Sequence, residues 1–245
     1  MKLYGFPLSP NTRKVIAVAK HLGLPLELQV VDLGKGEQRR PEFMKLNPNA
    51  KTPVLVDGDF VLWESTAIME YLASKKPGNS MWPNDARQRA DISRWLCWSI
   101  AHWGPACGIF LWENTIKKML NMGEPDAAKL KDGETQFQAL ASVLDNHLKG
   151  REYLTGSQVT LADFSAASWI AYADAACMPW APYSSIKSWY ARIDKLPAWR
   201  DSAPKDGLTT PRVARKPVDD LLRVLVGRKH RIKHFRNPPI AQDQG

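Results

Sequence analysis

The chain of 245 residues is predicted to fold as a small mixed α/β domain followed by an all-helical one. Three observations predict this. Short alternating apolar segments interchange with helix-periodic ones over the first 80 residues. The polar run Lys75-Lys76-Pro77-Gly78-Asn79-Ser80 then breaks the pattern and marks a domain boundary. Beyond it strand signals stop, and nine of the ten tryptophans lie on that side as core or cleft material.

Lys2 to Phe6 reads as a strand, followed by the turn Pro7-Leu8-Ser9-Pro10. A helix over about Asn11 to His21 places Val15, Ile16, Ala19 and Leu22 on one face, and Gly23 closes it. Leu26 to Val31 alternates as a second strand, and a Gly- and charge-rich loop (residues 34–40) leads to a short helix near Pro41 to Leu46. Asp57-Gly58-Asp59 between Thr52–Val56 and Phe60–Leu62 is a hairpin signal, and a helix over Ser65 to Ser74 completes a β-α-β-α-β-β-α order. Helical periodicity then covers roughly Asp85 to Leu120, Pro125 to Leu148, Leu161 to Ala176 and Tyr183 to Lys195. Thr160 with Asp163 three residues later forms a capping-box pattern, and Val159 and Phe164 take the positions of a hydrophobic staple.

Composition removes several function classes. Hydrophobic residues are 44% and charged residues 24%, an ordinary globular balance. No apolar run reaches the length of a membrane span, and Met1 to Ser9 leads into no apolar stretch, so neither a spanning helix nor a secretory signal is expected. Cys97, Cys107 and Cys177 include no C-x-x-C pair, which argues against a disulfide scaffold and a cysteine zinc module and suits a reducing cytoplasm. The net charge of +9 is uneven, since residues 205–245 hold ten Lys/Arg against four Asp/Glu and the rest holds 24 against 21. Within that tail Pro217 to Val226 reads as a short helix, and the following basic run, residues 227–236, could bind nucleic acid or an anionic surface. A solvated, poorly ordered extension is the favoured reading. No Walker loop or G-x-G-x-x-G occurs, and His230 and His234 enclose no further metal ligand.

Four motifs occur in order: Ser9-Pro10-Asn11-Thr12-Arg13-Lys14-Val15, residues 47–55 (Asn-Pro-Asn-Ala-Lys-Thr-Pro-Val-Leu), residues 62–68 (Leu-Trp-Glu-Ser-Thr-Ala-Ile), and the Thr160–Asp163 cap. Together they resemble the cytosolic glutathione S-transferases, in particular the serine-type phi and theta-like branch with its bacterial members. The resemblance covers about residues 1–204. It implies a thioredoxin-like glutathione-binding domain over 1–77, an all-helical domain with a hydrophobic substrate site over 85–204, and a basic tail over 205–245. It also implies a cytoplasmic homodimer that needs no metal and takes glutathione as a co-substrate, not a resident cofactor.

The resemblance implies a role for each matched residue. Ser9 would stabilise the glutathione thiolate with its hydroxyl and the helix N-terminus behind it. Read from the residues alone, Ser9 before Pro10 is an ordinary N-cap with Pro at N1. Tyr4 is the rival, since other branches of the family use a tyrosine at the end of the first strand. Ser9-Pro10-Asn11-Thr12 stands where thioredoxin relatives place Cys-Pro-x-Cys, so dithiol chemistry there is excluded. Pro53 after Thr52 matches the family's cis-proline beside the cysteinyl backbone. Glu64 and Ser65 would hold the γ-glutamyl amine and carboxylate at a helix start, and alternatively form another N-cap. Gln38, Arg39 and Lys51 would face the glycine carboxylate, although the family often carries His-Lys and Gln at these places. Trp103, Phe110 and Trp112 are candidates for the hydrophobic pocket, with core packing the favoured reading for any single one of them. Trp112 lies nine residues beyond Trp103, half a turn off its face, so the three cannot form one stripe.

The implied activity is attack of the glutathione thiolate on a hydrophobic electrophile. A glutathione-dependent peroxidase or dehalogenase, a non-catalytic glutathione-binding module, and a nucleic-acid binder acting through the tail are the alternatives.

Overall fold

The computed structural model describes residues 1–204. The tail over 205–245, with its expected helix and basic run, lies outside the described residues, as do His230 and His234.

Four short strands form one sheet in the order β2-β1-β3-β4. β1 (Lys2–Gly5) runs parallel to β2 (Glu27–Val30), and α1 (Pro10–His21) makes the crossover between them. β3 (Val54–Asp57) is antiparallel to β1, and β4 (Phe60–Trp63) returns from it through Gly58-Asp59, where Gly58 takes φ +65 as a tight hairpin turn requires. The alternation read from the sequence is realised on two faces. Leu3 and Leu55 join the main core with Val15, Val18, Ile68 and Met69, while Tyr4 and Val54 turn to the other face and pack with Val31 and Phe43. α2 (Pro41–Leu46) carries Phe43 onto that second face, and α3 (Ser65–Ser74) lies beside α1 on the first. β3 starts at Val54 and not at Thr52, because Pro53 has no N–H to give a ladder.

The segment expected as one helix over Asp85 to Leu120 is a single rod with two π-turns. α4 (Ala86–Trp98) passes through a π-turn at Ser99–Trp103 into α5 (Gly104–Leu111), and a second at Trp112–Ile116 leads to α6 (Lys117–Leu120). Pro105 accounts for the first, since it supplies no N–H and its ring crowds the carbonyl four residues back. α7 (Ala127–Leu148) is capped by Asp126, whose Oδ1 accepts the amides of Ala128 and Lys129 at 3.0 and 3.2 Å. α8 (Leu161–Ile170) ends earlier than the sequence suggests and gives way to turns through Cys177, where φ is +54. α9 (Ser184–Ile193) follows, then a four-residue helix, α10 (Pro197–Arg200), that periodicity did not reveal.

Asp163 organises the start of α8. Its Oδ2 accepts the Thr160 amide at 2.8 Å and the Thr160 hydroxyl at 3.0 Å, as the capping-box pattern anticipates. Its Oδ1 takes the Leu154 amide at 2.8 Å and the Trp189 indole N–H at 2.9 Å. Burial pushes this carboxyl up, and those four donors oppose the push. The staple residues Val159 and Phe164 are both buried.

α1 packs on α3, α8 and α10, so even its polar residues Thr12, Arg13 and Lys14 are buried. The Arg13 guanidinium lies 4.1 Å from the centre of the Trp199 ring and reaches the Trp199 carbonyl and the Ser202 hydroxyl, both at 3.4 Å.

Candidate functional site

Strand register gathers the candidate residues at one end of the sheet. Gly5, at the C-terminal end of β1, pairs with Val30 at the end of β2, and Tyr4 pairs with Val54 at the start of β3. Val54 in turn pairs with Trp63 at the end of β4. Ser9 follows β1, the loop with Gln38 and Arg39 follows β2, Lys51 to Pro53 precede β3, and Glu64-Ser65 follow β4. Four separate stretches of sequence therefore open onto the same edge. Gly5 allows the close approach of α1 there, since a Cβ would fall 2.6 Å from Thr12 Cγ2.

Ser9 is the N-cap of α1, with extended backbone (φ −75, ψ 128) and Pro10 at the first helical position. Its hydroxyl makes no capping hydrogen bond. An ordinary serine cap spends that oxygen on an amide of the first turn. Here it stays available beside the amide end of a 12-residue helix. Tyr4 is placed differently. Its side chain packs with Val31, Phe43 and Val54 on the face opposite α1.

α3 begins at the same edge with Ser65, which is buried, and its Oγ donates to Asn11 Oδ1 at 3.3 Å. Glu64 precedes it as N-cap with φ +70, a left-handed conformation unusual for a glutamate, and its side chain does not cap the helix. The Lys14 ammonium is buried close enough to feel the Glu64 charge. Burial pushes Lys14 down to about 8, and Glu64 partly opposes this.

The stretch before β3 is shaped by Asn47, which is buried. Its Nδ2 donates to the Lys51 carbonyl at 2.7 Å, and its Oδ1 accepts both the amide and the side-chain N–H of Asn49 at 3.0 Å. The Thr52–Pro53 peptide is cis. Lys51 and Arg39 are exposed, whereas Gln38 is half-buried with its Oε1 enclosed and without a hydrogen-bond partner among the described residues. Turned about its last bond, the same amide presents N–H donors at that place.

The hydrophobic candidates separate. Trp103 is fully buried, donates from its indole to the Ala166 carbonyl at 3.2 Å, and stacks on Trp98. Phe110 is buried edge-on against Phe137. Both belong to the helical core, in keeping with the packing reading of these aromatics. Trp112 falls on the opposite face of the rod, as the half-turn offset requires, and is exposed. It opens onto a groove of about 440 Å³ with Ile109, Glu113 and Lys129. Glu113 is itself buried, held by Lys117 and the Asp126 amide, and the Lys117 ion pair keeps its carboxyl below the usual range.

Asn11, Lys14 and Asn47 were not singled out from the sequence, although all three lie inside or beside motifs that were. Among the described residues no group of three His, Cys, Asp or Glu side chains could hold a metal ion. No described helix is long and apolar enough to cross a membrane.

Comparison with known proteins matches both parts of the chain. Residues 1–74 match the family model for the glutathione S-transferase N-terminal domain, and residues 126–192 that for the glutathione S-transferase C-terminal domain. Glutathione S-transferase 3 of Zea mays is 35% identical over 218 residues, 86% of this chain and 96% of its own length. Glutathione S-transferase D7 of Drosophila melanogaster is 30% identical over 205 residues, 82% of this chain and 88% of its own. Among solved structures, a delta-class glutathione transferase of Nilaparvata lugens superposes with a TM-score of 0.75 at 28% identity, covering 91% of this chain and 99% of that one.

Proposed function

The chain belongs to the glutathione S-transferase family, and we propose that it activates the glutathione thiol through Ser9 for attack on hydrophobic electrophiles. The observation that carries this reading is the Ser9 hydroxyl, held at the start of α1 and left out of the capping role. A free thiol near pKa 8.5 is only a few per cent ionised at neutral pH. Lowering it by about two pH units takes about 2.7 kcal/mol of preference for the thiolate. A hydroxyl donor to sulfur together with the amide end of a helix reaches that size.

The rest of the ligand is assigned by position. Thr52 stands just ahead of β3, where its backbone can extend strand pairing to the cysteinyl unit, with Pro53 beside it. Ser65 and the first amides of α3 receive the γ-glutamyl carboxylate, and Glu64 its amine. Lys51, Arg39 and Gln38 surround the glycine carboxylate. Glutathione is consumed as a co-substrate, and most of the rate gain comes from the lowered thiol pKa and from proximity. The glutathione domain spans 1–77 and the electrophile domain 85–204. The protein acts in the cytoplasm as a homodimer, a reading supported by the exposed Phe60, Val61 and Trp63 on edge strand β4.

The test is the ultraviolet thiolate absorbance of bound glutathione across pH, in wild type, Ser9→Ala and Tyr4→Phe. The wild-type thiol is expected to titrate well below the free value, with only Ser9→Ala restoring it. An unshifted thiol in all three, with glutathione bound, would mean that the fold serves binding without catalysis. Turnover of cumene hydroperoxide against a chloroaromatic acceptor separates peroxidase from conjugation chemistry.

A further inference from the structure

Tyr172 stands 164 residues from the turn that carries Ser9, yet its hydroxyl donates to the Leu8 carbonyl at 2.6 Å. The bond joins the stretch after α8 to the peptide immediately ahead of Ser9. We propose that Tyr172 is a positioning residue for thiol activation, holding the Leu8–Ser9 peptide so that the Ser9 hydroxyl meets the glutathione sulfur. This rests on the assignment of Ser9 above.

The geometry supports the assignment from both sides of that peptide. Its carbonyl is taken by Tyr172, and its N–H, on Ser9, donates to the Phe6 carbonyl at 3.0 Å. A peptide unit bonded at both ends cannot rotate about its flanking single bonds without breaking one of them. Ser9 is then fixed on its other side by its own carbonyl, which accepts the Arg13 amide at 3.0 Å. The backbone of Ser9 is thus held before and after Cα, and side-chain rotation is the freedom that remains. Tyr172 is itself rigidly placed. It is 2% exposed, its amide donates to the Trp169 carbonyl at 3.1 Å, and its carbonyl accepts the Ala176 amide at 2.8 Å. An anchor in the helical half of the molecule therefore fixes the backbone from which the Ser9 hydroxyl projects in the sheet half.

A short hydrogen bond of this kind acts on alignment, so its loss should appear in the thiol and not merely in stability. The experiment titrates bound glutathione in wild type, Ser9→Ala, Tyr172→Phe and the double variant, with Tyr183→Phe as a control. Tyr183 also gives its hydroxyl to a backbone carbonyl, that of Gln138 at 3.3 Å, on an exposed part of the helical half. Tyr172→Phe is expected to raise the bound thiol pKa by about half to one pH unit and to lower kcat/KM about 3- to 10-fold at pH 6.5. The deficit should close above pH 9, where the thiol ionises unaided, and the change should vanish in the Ser9→Ala background.

Leu8→Gly loosens the same peptide without touching the helical half and should raise the thiol pKa in the same direction. It keeps the question open to decision if Tyr172→Phe does not fold. A wild-type thiol that shifts, with Tyr172→Phe and Leu8→Gly both unshifted, overturns the positioning role and leaves Ser9 standing. If Tyr172→Phe has the same effect in the Ser9→Ala background, or Tyr183→Phe reproduces it, the positioning role is overturned as well. A wild-type thiol at its free value removes the Ser9 reading itself.

Discussion

Ser65 Oγ donates to Asn11 Oδ1 at 3.3 Å and so ties the first residue of α3 to the second residue of α1. Two helix N-termini meet at one edge of the sheet, and both direct amide groups toward it. A thiolate and a carboxylate of one ligand can be held there together.

Asn11→Ala should release the Ser65 hydroxyl and weaken the γ-glutamyl end of the ligand while leaving Ser9 in place. The KM for glutathione is expected to rise about 3- to 10-fold with kcat little changed, the size of one hydrogen bond. Steady-state kinetics in glutathione check this, and an equal fall in kcat would show that Asn11 also serves the sulfur.

Lys14 makes stability depend on alkaline pH. Burial lowers it to about 8 in the folded protein, against an unfolded value near 10.5. Below pH 8 both states are protonated and the cost of enclosing the charge is constant. Between about 8 and 10.5 the unfolded chain binds the extra proton, so this residue makes the fold more stable as pH rises. Urea unfolding of wild type and Lys14→Met at pH 7, 8, 9 and 10 should show wild type gaining on the variant by up to about 3 kcal/mol. A difference that stays flat over that range would place the ammonium in water.

Asp163 is satisfied by four donors in a fully buried setting. Asp163→Ala leaves the Leu154 and Thr160 amides and the Trp189 indole without acceptors and should cost at least about 4 kcal/mol. Asp163→Asn, which keeps one oxygen, should cost less, and Thr160→Ala about 1 kcal/mol. Urea midpoints are expected in that order, and Thr160→Ala equalling Asp163→Ala would mean the capping arm alone matters.

Asn47 acts as the template of the loop that ends at Pro53. Asn47→Ala removes the donor to the Lys51 carbonyl and the acceptor of Asn49, and is expected to cost about 1 to 3 kcal/mol. It should also raise the KM for glutathione, because Lys51 and Thr52 lose their support. Isothermal titration with glutathione separates this from a loss confined to folding.

Much of this architecture is legible without coordinates, because it rests on local chemistry. The hairpin at Asp57-Gly58-Asp59, the helix over Ser65–Ser74, and the Thr160–Asp163 cap are each set by turn residues, periodicity or capping within a few positions. Ser9, Pro53, Glu64 and Ser65 were singled out through the resemblance of their motifs to the glutathione S-transferases, and each stands at or beside the end of a strand or helix. What was not legible has the opposite character. Which face of the rod turns Trp103 and Phe110 toward α7 and α8 is a property of packing. The π-turns and α10 were missed because they produce no distinct period.

The sequence by itself determined the order of elements, the division between sheet and helices, and the residue types at every strand and helix end, since these follow from short-range propensity and patterning. Tertiary structure alone decided that four loops share one edge, that Lys14 and Arg13 are enclosed, and that Tyr172 reaches Leu8. Those outcomes depend on contacts between residues far apart in the chain. Burial and long-range hydrogen bonding set them, and no local pattern records which distant neighbour a side chain will meet.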